Sequence, residues 1–465
     1  MNPITQDQTT YYLSFDEETQ RKLLCIQGDL TGFQGKSFAG IYRCPLIPEN
    51  AAALRERLPW LKPQPLGLDL SFGFGDRIGL ATLGHISAVN GTGIAPVFAQ
   101  QSVRENTRSG RTPQTVLDDA MWAVFETDWR APWGADADHI KEIHDLSPFI
   151  NAGYSFYTID PNEYVDNSAY IDSISTLKVK VRDLPWDALK ISLDNLYQLY
   201  VEKPIHLEDS TLEFQEEILL RAAAKYGRAI AHVKLVSDYL VANVRNFDLE
   251  ASVDETDTPT SAEEHYFIAN ELRRLGVPFV SLAPRFVGSF QKGVDYIGDI
   301  DLFNLELEKH VAVMNKIGGY KLSVHTGSDK FTIYPNLARQ VGKLVHIKTA
   351  GTSYLEALRV VCNVDKPLFR QIVDLSRASF ETDRATYHLS GKLDKVPSSA
   401  QLSDDRLILL FDQFDARQVL HVTFGSILDE YGESLREILR SNSGLYQRYL
   451  LNHFTRHLNP FLHTY

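Results

Sequence analysis

The stretch YKLSVHTGSD, residues 320–329, is one of eight runs that together decide the fold. Its short apolar stretch ends at His325, a side chain of a type found in active sites, and a Gly-Ser loop follows. The other runs, in chain order, are LGLDLSFGFGD (66–76), APVFAQQS (95–102), GADADH (134–139), YSFYTIDP (154–161), FDLEASVDE (247–255), PFVSLAPRF (278–286) and LVHIKTAG (344–351). Strands that alternate with helical patterns are typical of a parallel sheet with crossover helices. The sequence therefore predicts an α/β fold with a (β/α)8 TIM-type barrel, although an open doubly wound sheet would give similar local patterns.

Two of the intervening helices have clear end signals. The first is predicted to begin at Ser261, where Glu264 completes a capping box, and to end at Gly276. The second is predicted to end at the pair Gly318-Gly319. In barrels of this kind the active site lies just past the C-terminal ends of the strands, so we expect the functional side chains there.

Three regions are predicted along the chain. Residues 1–65 read as a small N-terminal α/β cap, and residues 66–360 as the catalytic barrel, with a mostly helical insertion near 163–245. Residues 361–465 read as a mainly helical C-terminal extension. Within that extension the segment QVLHVTFGS, residues 418–426, is predicted to be a strand.

Composition excludes several classes of protein. The net charge of −13 argues against a nucleic-acid-binding surface, which normally carries clustered Lys and Arg. No stretch approaches the roughly 18 apolar residues that cross a bilayer, and the polar start MNPITQDQTTYY lacks the order of a signal peptide. The three cysteines form no CxxC pair, which suits a reducing compartment. We expect a cytoplasmic protein with a small-molecule ligand and no nucleic-acid or membrane partner; a homo-oligomer is compatible with this composition.

The segment GADADHIK, residues 134–141, has the densest set of polar groups. Asp138 and His139 are adjacent, so a regular strand would point them to opposite sides, whereas at a frayed strand end both can face the cavity. A metal ligand beside a carboxylate base suits polyhydroxy ketones, because the metal polarises the carbonyl while the base moves a hydroxyl proton. The alternative interpretation is an aspartate that caps a helix and an exposed histidine.

Two further strands carry candidate groups. His325 emerges from its strand into a small-residue loop and is a candidate metal ligand, with His346 as a competitor for the same role. Glu250 lies within a strand, where an ionised carboxylate is costly unless it is paired or used. Six cations lie near these strand ends, and one or two of them could clamp a substrate carboxylate: Arg77, Arg104, Arg285, Lys292, Lys330 and Lys348.

The phrases FAQQSVREN, GRTPQTVLDDA, GADADH, TIDP, SVDETDTPTS, KGVDYIGD, SVHTGSDKF and HIKTAGTSYLEALRV, in this order, closely resemble the tagaturonate epimerase family. The likeness extends to RQVLHVTFGS and covers most of the chain after about residue 60. It implies a divalent-metal enzyme, an isomerase of hexuronate catabolism that interconverts D-tagaturonate and D-fructuronate. By motif, Asp138 corresponds to the proton acceptor and Glu250 to the proton donor.

The resemblance also implies a set of metal ligands. His139 and His325 correspond to two of them, and Gln291 in the FVGSFQKG segment is our choice for the third, with Asp254 as the substitute. Ligands of these types suit zinc, manganese, cobalt or nickel and do not distinguish among them.

The chemistry of the substrate suggests a mechanism that is our own inference. The inverted carbon is β to the ketone, so its C–H bond is not acidified, whereas retro-aldol cleavage followed by rotation and re-addition would invert it. A metal-dependent keto-sugar aldolase or isomerase, including one that acts on uncharged ketohexoses, is the nearest alternative. A sugar-acid-binding protein without catalytic activity is the second.

Overall fold

The computed structural model describes residues 3–18, 21–208 and 210–462 of the chain. The strands are β1 (Ile4–Gln6), β2 (Thr9–Asp16), β3 (Arg21–Gln27), β4 (Lys36–Phe38), β5 (Ile41–Pro45), β6 (Ser71–Gly73), β7 (Ala95–Ser102), β8 (Gly134–Ile140), β9 (Phe156–Ile159), β10 (Ile205–His206), β11 (Thr211–Leu212), β12 (Asp248–Ser252), β13 (Ser281–Ala283), β14 (Lys321–Val324) and β15 (Val345–Lys348). The helices are α1 (Pro48–Arg57), α2 (Thr82–Val89), α3 (Val103–Ser109), α4 (Pro113–Thr127), α5 (Ile143–Ala152), α6 (Ile174–Arg182), α7 (Trp186–Leu189), α8 (Leu193–Tyr200), α9 (Glu216–Asn243), α10 (Ala262–Arg274), α11 (Ile300–Ile317), α12 (Tyr334–Val341), α13 (Thr352–Val364), α14 (Lys366–Asp383), α15 (Phe414–Val422), α16 (Phe424–Ser441) and α17 (Ser443–Leu458).

Eight parallel strands close into a barrel. Their order around it is β6, β7, β8, β9, β12, β13, β14 and β15, and β15 pairs back onto β6 through the register His346 to Ser71. Each of the eight predicted runs supplies one of these strands, so the predicted TIM-type barrel is confirmed. Because the strands are parallel, their C-terminal ends meet at one mouth, where the functional groups are expected.

The N-terminal region forms a separate antiparallel sheet of five strands in the order β1, β2, β3, β5, β4. Helix α1 follows it and begins with Pro48, which suits the first turn of a helix because that backbone position needs no N–H partner. Residues 1–65 thus contain both strands and a helix.

The predicted capping box at the start of α10 is confirmed. The Ser261 hydroxyl accepts from the Glu264 backbone N–H at 3.1 Å, and the Glu264 carboxylate accepts from the Ser261 N–H at 3.1 Å. Helix α11 ends at Ile317, immediately before the predicted stop at Gly318. The two helices pack against each other, and α11 also contacts β14.

The strand predicted over residues 418–426 is wrong. This segment is helical and forms the second half of α15 and the start of α16. Its residues from Gln418 to Val422 are all buried. Since every position of this stretch is buried, its sequence shows no alternation of buried and exposed residues and so lacks the periodicity that separates a helix from a strand.

The remaining helices cover the barrel from outside. The stretch predicted as a helical insertion contains α6 to α9 and the two-stranded pair of β10 with β11. Helix α17 packs against α2, where Phe454 lies edge-on to Phe74 at a ring-centroid distance of 5.0 Å. In the described residues, no helix combines the length and the apolar composition that a bilayer crossing requires.

Candidate active site

A buried lysine stands at the centre of the polar groups inside the barrel mouth. The Lys348 ammonium nitrogen, at the end of β15, lies 2.7 Å from Asp138 Oδ1 and 3.0 Å from Glu250 Oε1. Asp136 Oδ2 at 2.8 Å and Thr158 Oγ1 at 2.6 Å complete its surroundings. Strands β8, β9, β12 and β15 thus each contribute a side chain to one hydrogen-bonded cluster.

The charges in this cluster fix the protonation states. Burial acts against the charged form of Lys348, but the surrounding carboxylates outweigh it and raise its pKa well above the usual range. Burial likewise acts to raise the pKa values of Asp138 and Glu250, but the charges of Lys348 and of the neighbouring histidines together outweigh it, so both pKa values are lowered. Burial raises the pKa of Asp136 to about 6. Asp138 and Glu250 are therefore ionised at neutral pH.

An irregularity in β8 brings two neighbouring side chains to the same centre. The pairing of β8 with β9 shifts register between Ala137 and Ile140, and His139 has a φ of +53°. Such a bulge interrupts the alternation of side chains along the strand. As a result, His139 Nε2 lies 3.9 Å from Asp138 Oδ1, whereas a regular strand would separate the two side chains.

His325 lies just past β14 and is held by two carboxylates. Its Nε2 is 2.5 Å from Glu250 Oε1, and its Nδ1 is 3.1 Å from Asp254 Oδ1. The Ser281 hydroxyl donates to the other oxygen of Glu250 at 2.6 Å. The rings of His139 and His325 approach to a centroid distance of 4.9 Å, so the two predicted strand-end histidines do meet.

A group of three side chains at this position could hold a metal ion. Ligand atoms of His139, Asp254 and His325 all lie within 4.8 Å of one another. Two imidazoles and a carboxylate suit a divalent transition metal. Glu250 contacts Nε2 of His325, and Nδ1 of the same ring faces Asp254. Metal-binding histidines commonly have a carboxylate on the ring nitrogen that does not bind the metal. The residues present therefore fit a metal centre.

The histidines of this group are strongly influenced by their carboxylate neighbours. Burial acts to lower the pKa of His139, but Asp138 and a hydrogen bond to Asp160 outweigh it and raise the pKa to about 10. The same balance, with Asp254 as the strongest opposing charge, raises the pKa of His325 to about 9. His139 also belongs to an alternative group with Asp160 and Glu255. This concentration of negative charge favours a cation.

Two other candidates from the sequence form hydrogen bonds with other parts of the protein. The Gln291 carboxamide oxygen accepts hydrogen bonds from the Ser390 N–H at 2.8 Å and from Gln418 Nε2 at 2.9 Å, so it joins the loop after β13 to the C-terminal region. His346 is buried inside the barrel, where its Nδ1 lies 2.9 Å from the Ser71 hydroxyl. Burial lowers the pKa of His346 well below the usual range.

A second cluster of possible ligands, Asp329, His453 and His457, lies where α17 meets the barrel. The His457 Nε2 accepts from the Asp329 N–H at 2.9 Å, and its Nδ1 lies 2.9 Å from the His453 carbonyl oxygen. Because both ring nitrogens of His457 already have backbone partners, this cluster is best explained as a structural network between two elements.

Sequence reasoning missed Asp136 and left the role of Lys348 open. Asp136 stands two residues before Asp138, and the period-2 alternation of a strand places both carboxylates on the same side. That spacing was the available signal for Asp136. No local signal marked Lys348, because its partners belong to strands that are distant in the sequence.

A cavity of about 200 Å³ opens beside the cluster. It is lined by Arg104, His139, Asn162, Asp254, Glu255, Pro284, Arg285, Phe286, Gly288, Ser289, Phe290, Lys292, His325, Thr326, Thr386, Tyr387 and His388. The barrel strand ends supply its floor, and the segment around Tyr387 comes from the C-terminal region. Ionised carboxylates, a buried lysine and a histidine pair at the mouth of a (β/α)8 barrel define a TIM-barrel enzyme that acts on a small polar substrate.

Comparison with known proteins identifies the family. The model of the tagaturonate epimerase family matches residues 2–461. A curated tagaturonate/fructuronate epimerase from Thermotoga maritima is 40% identical over 463 residues, which are 98% of this chain and 94% of the relative. The glycerol-bound crystal structure of fructuronate-tagaturonate epimerase from Cohnella laeviribosi superposes with a TM-score of 0.94 at 33% identity, over 99% of this chain and 95% of that one. The native crystal structure of the same enzyme gives a TM-score of 0.93. The chain belongs to the tagaturonate epimerase family, and it is an enzyme of the isomerase class.

Proposed function

We propose that this protein is a divalent-metal-dependent epimerase that interconverts D-tagaturonate and D-fructuronate. The names of its relatives support the substrate pair. The observation that carries the proposal is the contact of Lys348 with both Asp138 and Glu250, directly beside the pair His139 and His325. Binding alone would not require two ionised carboxylates that share one buried ammonium group.

In this proposal His139, Asp254 and His325 hold the metal ion. Asp254 takes the place that the sequence analysis gave to Gln291, because the carboxamide oxygen of Gln291 already accepts hydrogen bonds from Ser390 and Gln418. When bound, a divalent cation at this position would polarise the ketone of the substrate and stabilise the negative charge that develops there.

The reaction proceeds by cleavage of the bond between the carbons α and β to the ketone. Asp138 is ionised and takes the proton of the hydroxyl on the β carbon, so that an aldehyde forms as the carbon–carbon bond breaks. The electron pair of that bond stays on the ketone fragment. Rotation of the aldehyde and re-formation of the bond give the inverted centre, and the new alkoxide takes a proton from Glu250.

Lys348 connects the two carboxylates. Glu250 is ionised in the resting enzyme, so it must receive a proton before it can donate one. The Lys348 ammonium can give a proton to Glu250 and recover one from Asp138, because it contacts both at hydrogen-bonding distance. Each complete cycle then returns all three groups to their starting states.

The experiment that tests the function measures turnover of D-tagaturonate by the purified protein, with and without added metal. We expect D-fructuronate to appear, thorough chelation to abolish its formation, and metal to restore it. His139→Ala and His325→Ala should each lose stoichiometric metal, measured by elemental analysis. His144→Ala is the matched control, because His144 is an exposed histidine on the helix that follows β8 and should keep both metal and turnover.

Two outcomes would contradict the proposal. Full turnover after thorough chelation would remove the metal from the mechanism. Accumulation of three-carbon fragments in place of D-fructuronate would indicate an aldolase on the same barrel.

The cleavage mechanism predicts the fate of one hydrogen atom. The hydrogen on the inverted carbon never leaves it, because the bond that breaks joins two carbons. After the reaction reaches equilibrium in deuterium oxide, proton NMR should therefore show that carbon unlabelled. Near-complete deuterium at the inverted carbon would instead show deprotonation and reprotonation, and the cleavage mechanism would be wrong.

A further inference from the structure

Lys292 differs from the other cations that line the cavity. In the described part of the chain, its ammonium group has no carboxylate within ion-pair distance and no hydrogen-bond acceptor. By contrast, Arg104 lies 3.7 Å from Glu255, and Arg285 donates to the Thr256 carbonyl. Lys292 is therefore the cavity cation whose charge the protein leaves unpaired.

The carboxylate that Lys292 influences electrostatically already has a partner. Burial acts to raise the pKa of Glu105, and the charges of Arg77 and Lys292 outweigh it and lower that pKa. Glu105 Oε1 is bound by Arg77 at 2.8 Å. Glu105 therefore does not satisfy the hydrogen-bonding capacity of the Lys292 ammonium group, which has three donors.

The backbone that carries Lys292 is held firmly although its side chain is unpaired. The buried Lys330 ammonium donates to the carbonyls of Gln291 at 3.0 Å and Val294 at 2.5 Å, and Gln418 Nε2 donates to the Lys292 carbonyl at 3.4 Å. A fixed backbone beneath a free cation reduces the entropy lost when an anion binds, which is the usual advantage of a preorganised site.

We infer that Lys292 binds the carboxylate of the substrate and thereby selects sugar acids over uncharged ketohexoses. This inference rests on the proposed function for the identity of the substrate. A hexulosonate carries its ketone and its carboxylate at opposite ends, and the same cavity is lined by His139, His325 and Lys292. The histidine group then takes the ketone end and Lys292 takes the carboxylate end.

The positive charge of Lys292 also has a role during the reaction. Cleavage between the α and β carbons leaves the carboxylate on the aldehyde fragment. An ion pair with Lys292 would hold that fragment in the cavity while its aldehyde rotates. The same residue that selects the substrate would thus keep the fragment available for re-addition.

The test uses ligands that the enzyme cannot turn over. Calorimetry on the metal-loaded protein compares D-galactonate, a six-carbon acid without a ketone, with galactitol, its uncharged counterpart. In Lys292→Gln we expect the affinity for galactonate to fall about tenfold or more, the scale of a lost hydrogen bond to a charged group, and the affinity for galactitol to stay unchanged. Lys292→Arg should keep most of the affinity for galactonate.

Kinetics give a second readout. For D-tagaturonate, Lys292→Gln should raise KM by a larger factor than it lowers kcat, because it removes a contact made in both the ground state and the transition state. Lys343→Gln is the matched control, since Lys343 is an exposed lysine before β15, at the opposite end of the barrel.

The outcomes separate this inference from the proposed function. Equal galactonate affinity in wild type and Lys292→Gln would overturn the inference, even if the enzyme epimerises D-tagaturonate. A selective loss of galactonate binding in a protein that does not turn over D-tagaturonate would support the carboxylate site and contradict the proposed function.

Discussion

At the scale of single residues, the proposed mechanism assigns proton transfer to the two ionised carboxylates. Asp138 and Glu250 share Lys348, and neutral replacements keep the shape of each side chain while removing its ability to exchange a proton. We expect Asp138→Asn and Glu250→Gln to remain folded by circular dichroism and to lower kcat on the order of 100-fold or more.

The control for this prediction is the same chemical change at a carboxylate outside the site. Asp145→Asn alters a helix-capping contact with the Glu142 N–H and a contact with the exposed His144, both outside the site, so its kcat should match that of the wild type. Near-normal turnover in Asp138→Asn would show that this carboxylate serves stability, and the proposed proton path would be abandoned.

Sequence reasoning at this scale succeeded where strand ends converge. Asp138, His139 and His325 were selected at strand ends, and Glu250 was selected as a carboxylate within a strand; the closed barrel brings all four side chains together. The role of Lys348 could not be read in the same way. Its charge is stabilised by carboxylates from β8 and β12, and no local pattern encodes a contact between residues more than 90 positions apart.

At the scale of elements, the contact between α2 and α17 gives a prediction whose sign depends on two opposing effects. An added Cβ at Gly84 would lie 2.5 Å from the Leu450 Cβ, so the two helices would have to separate. Alanine favours a helix over glycine by about 1 kcal/mol, whereas overpacking costs about 1–3 kcal/mol. We expect Gly84→Ala to lower the free energy of unfolding by up to about 2 kcal/mol in urea denaturation, because the overpacking cost exceeds the helix preference.

Gly444→Ala provides the comparison within the partner helix. Gly444 lies in α17, and no atom is within 4 Å of the position that its Cβ would occupy. There the helix preference acts alone and should raise the free energy of unfolding by up to about 1 kcal/mol. Stabilisation by both substitutions would show that the α2–α17 contact is looser than the structure indicates.

Helices and strands could be predicted from the sequence where only one of their faces is buried. The capping box of α10 and the polar residues at the barrel strand ends produce local patterns that the sequence displays directly. Residues 418–426 lack such a pattern because both sides of α15 are covered, and their β-branched side chains then favoured the wrong element.

At the scale of the whole molecule, the barrel and the C-terminal helices share one core. A single contiguous cluster of buried apolar side chains includes Tyr11 in the N-terminal sheet, Phe74 after β6 and Leu458 in α17. We therefore expect one cooperative unfolding transition, with coincident curves from circular dichroism and from tryptophan fluorescence. Two separated transitions would show that residues 361–465 fold as an independent domain.

Local sequence patterns could not decide whether the sheet closes into a barrel or stays open. Eight alternating units are compatible with an open sheet until the first strand pairs with the last. The pairing of His346 in β15 with Ser71 in β6 shows that the barrel is closed. This pairing joins the first and the last strand of the barrel. Only a global structure, or a relative with one, reveals such a pairing.

The packing of α17 on α2 has a consequence for synthesis of the protein in the cell. Helix α2 emerges from the ribosome long before α17, so the groove around Gly84 and Phe74 stays uncovered while most of the barrel is being translated. Apolar surface of this kind on a nascent chain attracts other chains and chaperones. The core can therefore be completed only when α17 arrives, although this helix contributes no residue to the polar cluster around Lys348.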